Sequence, residues 1–462
     1  MKILITASDC EVARSAISAL SSSHECIAVA LDQADFRDEA VARSYVKDVD
    51  AVLHFAPIHP AVTAHKQALD IATQSTYRLA HAAAQANVRR MVLASTLHVF
   101  DAIPAHYRVS PTWRPRPLPT IDQLCAWLCE LTLRECSREL NRTHPFYVAC
   151  VRLGNATQNE LRVELTAALN FEADGWCIKH IGQRPQPTAP APSRPSIQQR
   201  PIHKVAIFGS GGPLASITAQ ILQHDYALLQ TDVRPLADIL YENKPQSKGA
   251  PLPILLKSPH QERVVDVTQY EEVMTASAGM DALINCTVIR HHIANSFTVN
   301  VVGAYNVMCA AVAHGIKRVV HTGPFMVGQK GMAGYGWDHY LTDDIPPRPG
   351  DSMVSYLITK MLGQEIVRIF SEYYDLEVPT LVFCWFENPD NPSHTHRDLH
   401  PMTVSWRDAG RAMRAAIEVP SLPSPYEYIH INSDMPHGVY PNDKAKRLLG
   451  WRPLDDFSAW WT

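Results

Sequence analysis

The chain of 462 residues lacks an excess of charge of either sign: 42 Lys and Arg stand against 46 Asp and Glu, for a formal net charge of -4. It therefore has no electrostatic footprint for wrapping nucleic acid or an anionic membrane surface. No run of about 20 apolar residues reads as a membrane span. The apolar start Ile3–Ile5 breaks at Asp9, too early for a secretory core, and the expected location is the cytosol. Ten cysteines are scattered, Cys125/Cys129 and Cys129/Cys136 being the nearest pairs, and no CxxC or zinc-ribbon spacing occurs. Reduced, mostly buried thiols are expected. With 46% hydrophobic and 19% charged residues, the composition excludes disorder, collagen, coiled coil and a disulfide scaffold. The length allows two or three domains at roughly 150 residues each.

What is present is a repeated plan. Residues 182–202, starting at Gly182 in GQRPQPTAPAPSRPSIQQRPIH, are rich in Pro, Gln and Ser and read as an extended linker. On either side the pattern recurs. Lys2-Ile-Leu-Ile-Thr-Ala corresponds to Lys204-Val-Ala-Ile-Phe-Gly. A second strand ends in an acid at Asp32 and at Asp232, VDAVLHFAP corresponds to MDALINCTV, and Ser75 to Thr96 corresponds to Gly303 to Pro324. Short apolar strands alternating with helices of ten or more residues predict βαβ units with right-handed crossovers. The expected fold class is α/β: two tandem Rossmann-like, doubly wound parallel-sheet domains, residues 1–181 and 203–462, the second with a small C-terminal substrate-binding lobe.

The two copies differ in their first turn. After KVAIF the second has Gly209-Ser-Gly-Gly212-Pro-Leu-Ala215, opening a helix. Such a loop lets backbone N–H groups and the helix N-terminus approach a pyrophosphate. Asp232, at the end of the next strand, is placed to accept ribose hydroxyls and favours NAD over NADP, while Arg234 two residues later is a cation that keeps NADP open. Asp266 is a candidate for the adenine end. The first copy reads Thr6-Ala7-Ser8-Asp9-Cys10-Glu11, without glycine, and sets Asp9 and Glu11 where a pyrophosphate would sit. It is not expected to bind a dinucleotide.

Downstream, Ser355-Tyr356-Leu-Ile-Thr-Lys360 reads as a helix with Tyr356 and Lys360 one turn apart on one face. An ammonium beside a phenol, helped by a nicotinamide cation, lowers the phenol's pKa so that it can take a substrate proton as hydride leaves. The ordered set of glycine loop, acid-ended strand, Asn300 in NVVGAYNV, strand KRVVHTG and Tyr-x-x-x-Lys resembles the extended short-chain dehydrogenase/reductase superfamily, specifically its NAD-dependent epimerase/dehydratase family. Trp406-Arg-Asp408-Ala-Gly-Arg-Ala and Leu449-Gly450-Trp451-Arg-Pro453 are similar to that family's late helix and closing motif. The resemblance covers nearly all of residues 203–462, and residues 1–181 in outline only. It implies NAD as cofactor, held by Gly209, Gly212, Ala215, Asp232, Arg234, Asp266, Asn300, Tyr356 and Lys360. It implies Tyr356 as acid/base, Lys360 as its tuning cation and Asn300 as a brace.

The family's serine or threonine pair after the fifth strand is not matched in register. Counting back from Gly328 puts Gly323 at the catalytic hydroxyl's position, and a slip of one residue would put Thr322 there. In the first copy Ser95-Thr96 keeps the hydroxyl pair. Registered on Glu135 and Glu365, Ala126 stands for the tyrosine and Glu130 for the lysine. That copy reads as degenerate and non-catalytic.

Family members pair long helices to dimerise, which implies that helices near residues 71–86 and 121–140 pack on those near 297–314 and 354–370 as an intramolecular pseudo-dimer. His394-Thr-His396 with His400, and His291-His292, lack metal-site spacing and fall where the resemblance places substrate loops, as does Asn388; no metal site is expected. Tyr335 and Trp337 suit a lid or a loop anchor. The leading expectation is an NAD-dependent oxidoreductase or epimerase acting on a hydroxyl of a sugar, sugar nucleotide or sugar-like substrate. The other is an NAD-binding sensor or scaffold that has lost catalysis. Neither reading requires a nucleic-acid or membrane partner.

Overall fold

Among the described residues every paired strand runs parallel to its neighbour, as strands separated by helical crossovers do. The computed structural model describes residues 1–55, 65–141, 145–172, 175–186, 197–241, 249–324, 354–438 and 440–461. They form two units, Met1–Ser193 and Arg194–Thr462.

The first unit runs β1 (Lys2–Thr6), α1 (Glu11–Leu20), β2 (Glu25–Val29), α2 (Glu39–Val46), β3 (Ala51–His54) and α3 (His65–Asp70). A π-helical turn, Ile71–Ser75, leads into α4 (Thr76–Gln85), then β4 (Arg90–Thr96), α5 (Ile121–Leu140), β5 (Tyr147–Leu153), α6 (Gln158–Leu169) and β6 (Trp176–Ile181). Its sheet order is β2-β1-β3-β4-β5-β6. Ile3, Ile5, Leu53, Val92 and Val151 of the sheet pack on Ala13, Leu20 and Leu165 of α1 and α6. Each buried branched side chain there contributes about 1.5–3 kcal/mol. Local chemistry sets the helix starts: Thr157 and Glu160 close a capping box on α6, and the Asp38 carboxylate caps α2.

The second unit runs β7 (Lys204–Phe208), α7 (Pro213–Leu222), β8 (Ala227–Asp232), α8 (Leu236–Tyr241), β9 (Gln261–Val264), α9 (Tyr270–Ser277), β10 (Ala282–Asn285) and α10 (Ile293–Phe297). A second π-helical turn, Thr298–Val302, leads into α11 (Gly303–Ala313). Then come β11 (Arg318–Pro324), α12 (Val354–Tyr374), β12 (Val378–Phe383), β13 (Trp385–Glu387), β14 (Thr403–Ser405), α13 (Trp406–Glu418), β15 (Tyr426–His430) and α14 (Asp443–Leu449). The main sheet has the order β15-β12-β11-β10-β7-β8-β9, and β13 pairs with β14 separately. Read from the other edge this is strand order 3-2-1-4-5-6-7, the doubly wound Rossmann arrangement. The first unit shares it without a counterpart of β9.

The sequence expectation that no segment resembles a membrane span needs correcting. Ile293–Ala313 forms 21 helical residues whose most apolar 18-residue stretch has a mean hydropathy of 1.4, long and apolar enough to cross a membrane. Of that stretch 72% is buried, because α11 packs between the sheet, α9 and α12, and a helix covered on several faces becomes apolar all round.

Candidate functional site

The glycine loop of the second unit sits at the carboxyl end of β7. Gly209 has φ +82, and a Cβ there would meet the Thr287 backbone nitrogen at 3.0 Å. That left-handed conformation and close approach favour glycine. Gly211, which the sequence reading passed over, donates its N–H to Asp232 Oδ2 at 2.8 Å, and a Cβ on it would lie 3.0 Å from the same oxygen. Burial pushes the Asp232 carboxyl above its usual range, and the N–H groups of Gly211, Val233 and Arg234, with the Arg234 charge, pull it back. Gly212 is the N-cap of α7, Pro213 has no N–H to lose, and no side chain caps the first turn. With Ala215 buried against the core, α7 presents uncapped N–H groups and the positive end of its dipole, as an anion requires. Asp266 lies two residues beyond β9 rather than at its end, and its Oδ1 accepts from Thr268 N at 2.9 Å.

Strand pairing puts the two units in register. Thr6 pairs with Val29, and Phe208 with Thr231, so Ala30 and not Asp32 matches Asp232. Asp32 lies in the turn beyond β2, and the sequence alignment of those two acids is off by two residues because β2 ends earlier. The turn itself is kept: Ala7 has φ +48 where Gly209 is left-handed, and Asp9 stands for Gly211. The Asp9 carboxylate is not aimed at an anion site, as the sequence suggested; its Oδ1 accepts from Leu31 N at 3.2 Å. The Cys10 sulfur accepts from Ala13 N at 3.4 Å and so caps α1. The N–H group left open on α7 is therefore occupied on α1.

Tyr356 and Lys360 are both buried, 7% and 4% exposed, on α12. Burial, then the charge of Arg290, pulls the Lys360 ammonium down to about 8. Burial raises the Tyr356 phenol, and Arg290 lowers it again through its charge and a hydrogen bond. The Arg290 guanidinium lies 5.6 Å from the centre of the Tyr356 ring. Arg290 is exposed and has no carboxylate partner among the described residues. It was missed in the sequence because nothing in VIRHH distinguishes a loop cation from one over the phenol. Asn300 lies in the π-helical turn: its Oδ1 accepts from Ile289 N at 3.1 Å, and its Nδ2 donates to Ile289 O and to Thr359 Oγ1, both at 2.9 Å. Such turns often mark functional sites. Gly363 lets α12 come close enough to touch the Asn300 carbonyl.

The strand register settles where residues 322 and 323 stand. Ser95 pairs with Arg152, and Gly323 with Val382, so Gly323 is the counterpart of Ser95. A Cβ on Gly323 would collide with Gln364 Nε2, and the Gln364 amide is buried with no hydrogen-bond partner among the described residues. Thr322 donates its hydroxyl to Asn285 O at 2.9 Å, and no hydrogen bond joins it to Tyr356 among the described residues. His321 beside it is buried with neither ring nitrogen hydrogen-bonded among the described residues, and burial with the Lys360 charge holds it neutral.

At the equivalent place in the first unit, Glu130 and Arg152, each 1% exposed, form a buried ion pair at 2.8 Å. The Ser95 hydroxyl donates to Glu130 Oε1 at 2.5 Å, and the Arg152 guanidinium lies 5.1 Å over the Phe100 ring. Ala126 and Ala72 stand for Tyr356 and Asn300. The ion pairs Glu135 to Arg138 and Glu365 to Arg368 share one spacing, which supports that register.

Among the described residues no three or more of His, Cys, Asp and Glu converge as metal ligands. His394 Nδ1 lies 2.6 Å from Glu387, His400 stacks on Trp385, and Met402 N donates to its Nδ1. His292 accepts from Asn295 N and caps α10, and Asn388 Oδ1 accepts from Asp390 N. Tyr335, Trp337 and Gly328 lie outside the described residues.

The NAD dependent epimerase/dehydratase family matches residues 6–118. That match falls in the first unit, which the sequence had credited with outline likeness only. L-arabinose 1-dehydrogenase (NAD(P)(+)) of Haloferax volcanii is 25% identical over 279 residues, covering 55% of this chain and 97% of that protein. This share exceeds the whole first unit, so the similarity reaches the second. Uronate dehydrogenase of Pseudomonas putida is 25% identical over 195 residues, 41% of this chain and 64% of that protein. Among solved structures, uronate dehydrogenase from Agrobacterium tumefaciens, as a variant complexed with NAD, matches with TM-score 0.43, 22% identity and coverage of 55% and 85%. The chain thus carries the NAD dependent epimerase/dehydratase family match in its first unit and has an NAD(P)+ arabinose dehydrogenase as a relative across more than half its length.

Proposed function

We propose that the second unit is an NAD-dependent oxidoreductase of the extended short-chain type, acting on a hydroxyl of a sugar, sugar nucleotide or sugar-like substrate. The observation that carries this reading is the buried Tyr356 and Lys360 pair in the same Rossmann unit as a glycine loop whose helix end is uncapped. The arabinose and uronate dehydrogenases among the relatives support it. The residues fit NAD: the open N–H groups of Leu214 and Ala215 in the first turn of α7 would hold the pyrophosphate, Asp232 would accept the ribose hydroxyls, and Asp266 would serve the adenine end. When bound, NAD supplies a hydride acceptor. Tyr356 takes the substrate hydroxyl proton. Lys360 and Arg290 stabilise the phenolate by their charge, and Asn300 fixes the backbone beside it. With Gly323 unable to supply the usual hydroxyl, Arg290, whose guanidinium lies 5.6 Å from the centre of the Tyr356 ring, is a donor beside the phenol that can hold the substrate oxygen.

In this reading residues 203–462 form the catalytic domain, residues 182–202 the linker, and residues 1–181 a degenerate copy from a tandem duplication. The comparisons lend no support to a pseudo-dimer role for that copy. A second reading, an NAD-binding sensor without turnover, is favoured by Gln364 filling the space beside Gly323. Calorimetry with NAD, joined to absorbance at the nicotinamide band with aldoses and uronates, separates the two. Turnover with any of these sugars supports the enzyme, and binding without turnover on all of them supports the sensor.

A further inference from the structure

The loop that joins β4 to α5 in the first unit has no acid between Asp101 and Asp122 and carries three arginines, Arg108, Arg114 and Arg116, all exposed. It runs against the chain's net charge of -4. The same loop exposes two large rings: Tyr107 is 50% and Trp113 40% exposed, and Trp113 is the one exposed tryptophan among the described residues. These rings form a row with His106. The centres of His106 and Tyr107 lie 4.4 Å apart with their planes inclined by 35°, and those of Tyr107 and Trp113 lie 6.4 Å apart, inclined by 50°. Each of the two larger rings is followed directly by a guanidinium, as Tyr107-Arg108 and Trp113-Arg114.

The loop is built to hold this row in place. Its base is tied where Ala102 N donates to Arg116 O at 3.1 Å and where the Arg184 guanidinium donates to Phe100 O and Ile103 O, both at 2.7 Å. Gln123 Nε2 adds a bond to Asp101 Oδ2 at 3.0 Å. Nearer the rings, Tyr107 N donates to Pro104 O at 3.1 Å and Trp113 N to Ser110 O at 3.0 Å. Five prolines from Pro104 to Pro119 remove further backbone freedom. A loop stiffened in this way has little freedom left to lose when a ligand settles on it. Rings this exposed add little to the core, and adjacent apolar rings rimmed by cations mark a binding surface.

We propose that this loop binds an acidic polysaccharide, a chain of uronate sugars. Each uronate offers a flat C–H face that stacks on an aromatic ring and, at its edge, a carboxylate that the planar fork of an arginine receives. Two ring-and-arginine pairs therefore take two sugars of one chain. The inclination between the rings favours this ligand over a nucleic acid: successive bases stack nearly parallel, whereas linked sugars turn from one to the next. An acidic peptide repeats the carboxylates without the flat apolar faces. All of these residues belong to the first unit, and the proposal does not rest on catalysis in the second.

The test is calorimetry on the full chain with a galacturonate hexamer, beside a neutral glucose hexamer, a glutamate hexapeptide and a thymidylate hexamer. The galacturonate hexamer is expected to bind, and each of the others to bind roughly tenfold or more weakly. Tyr107→Ala with Trp113→Ala, and separately Arg108→Gln with Arg114→Gln, are each expected to weaken the galacturonate hexamer roughly tenfold or more, as loss of central contacts does. Tyr107→Phe with Trp113→Phe keeps two flat rings and is expected to retain binding within a few-fold, and thermal melting shows that each variant is folded. No binding of the galacturonate hexamer, or equal binding of the glucose, glutamate or thymidylate probe, would overturn the proposal. Galacturonate binding that survives both the alanine and the glutamine pairs unchanged would place the sugar elsewhere on the chain and overturn it as well.

Discussion

The first and second units build nearly the same backbone around opposite chemistry. Both turn out of their first strand through a left-handed residue, Ala7 or Gly209, and both interrupt a long helix with a π-helical turn. Yet where the second unit buries a phenol and an ammonium, the first buries a carboxylate, Glu130, and answers it with Arg152 from the neighbouring strand. Where α7 leaves its first-turn N–H groups open, α1 closes one on a sulfur. The difference teaches that one sheet with its crossovers accommodates opposite side chains at equivalent places. On the proposed reading, a handful of these side chains decides whether the same frame can bind a dinucleotide and move a proton.

That contrast can be broken in several ways. The largest effect is expected from Tyr356→Phe, which removes the acid/base and should lower turnover by roughly 10²–10⁴ while calorimetry shows NAD affinity nearly unchanged; an undiminished rate would refute the mechanism. Glu130→Ala strands Arg152 in the first unit's core and should cost about 3–5 kcal/mol of that unit's stability, read by denaturant unfolding, with no change in turnover. Copying the first unit's acid into the second as Gly211→Asp sets a carboxylate against Asp232 and should weaken NAD by a hundredfold or more, a few kcal/mol at an effective dielectric of ~20.

Gly323→Ser alone runs into Gln364 and should lose about 1–3 kcal/mol to overpacking, seen as a lower melting temperature. With Gln364→Ser added, stability should recover and turnover exceed that of the natural chain; no gain in the double variant would show that the absent hydroxyl does not limit the reaction. The smallest effect is in pH dependence. Lys360 loses its proton near pH 8 in the folded chain, so kcat/KM should fall as pH rises through about 8, and Lys360→Arg should move that limb upward. The sign for stability is opposite: the unfolded lysine keeps its proton to about 10.4, so between those values stability rises with pH.

Much of this frame was legible in the residues themselves. Apolar runs such as KVAIF and the helical spacing of Tyr356 and Lys360 report burial and face directly, because period and length are local properties. The glycine loop was visible for the same reason. What stayed hidden depended on contacts between distant segments. Asp32 looked like the partner of Asp232 until strand pairing matched Ala30 instead, since register is set across strands rather than along one. Arg290 over Tyr356 joins residues 66 positions apart, and the Gln364 amide beside Gly323 joins two elements that share no motif. The Glu130 substitution was seen as a loss, but its buried partner Arg152 lies on a different element, the strand β5.

The central claim is that one chain carries one working dinucleotide site and one that has been rebuilt shut. The most direct measurement is the stoichiometry of NAD binding by calorimetry on the full chain, with Gly211→Asp and Asp9→Gly as variants. One NAD per chain, lost in Gly211→Asp and unchanged in Asp9→Gly, is the predicted result. Two NAD per chain, or a single site that survives Gly211→Asp, would contradict it.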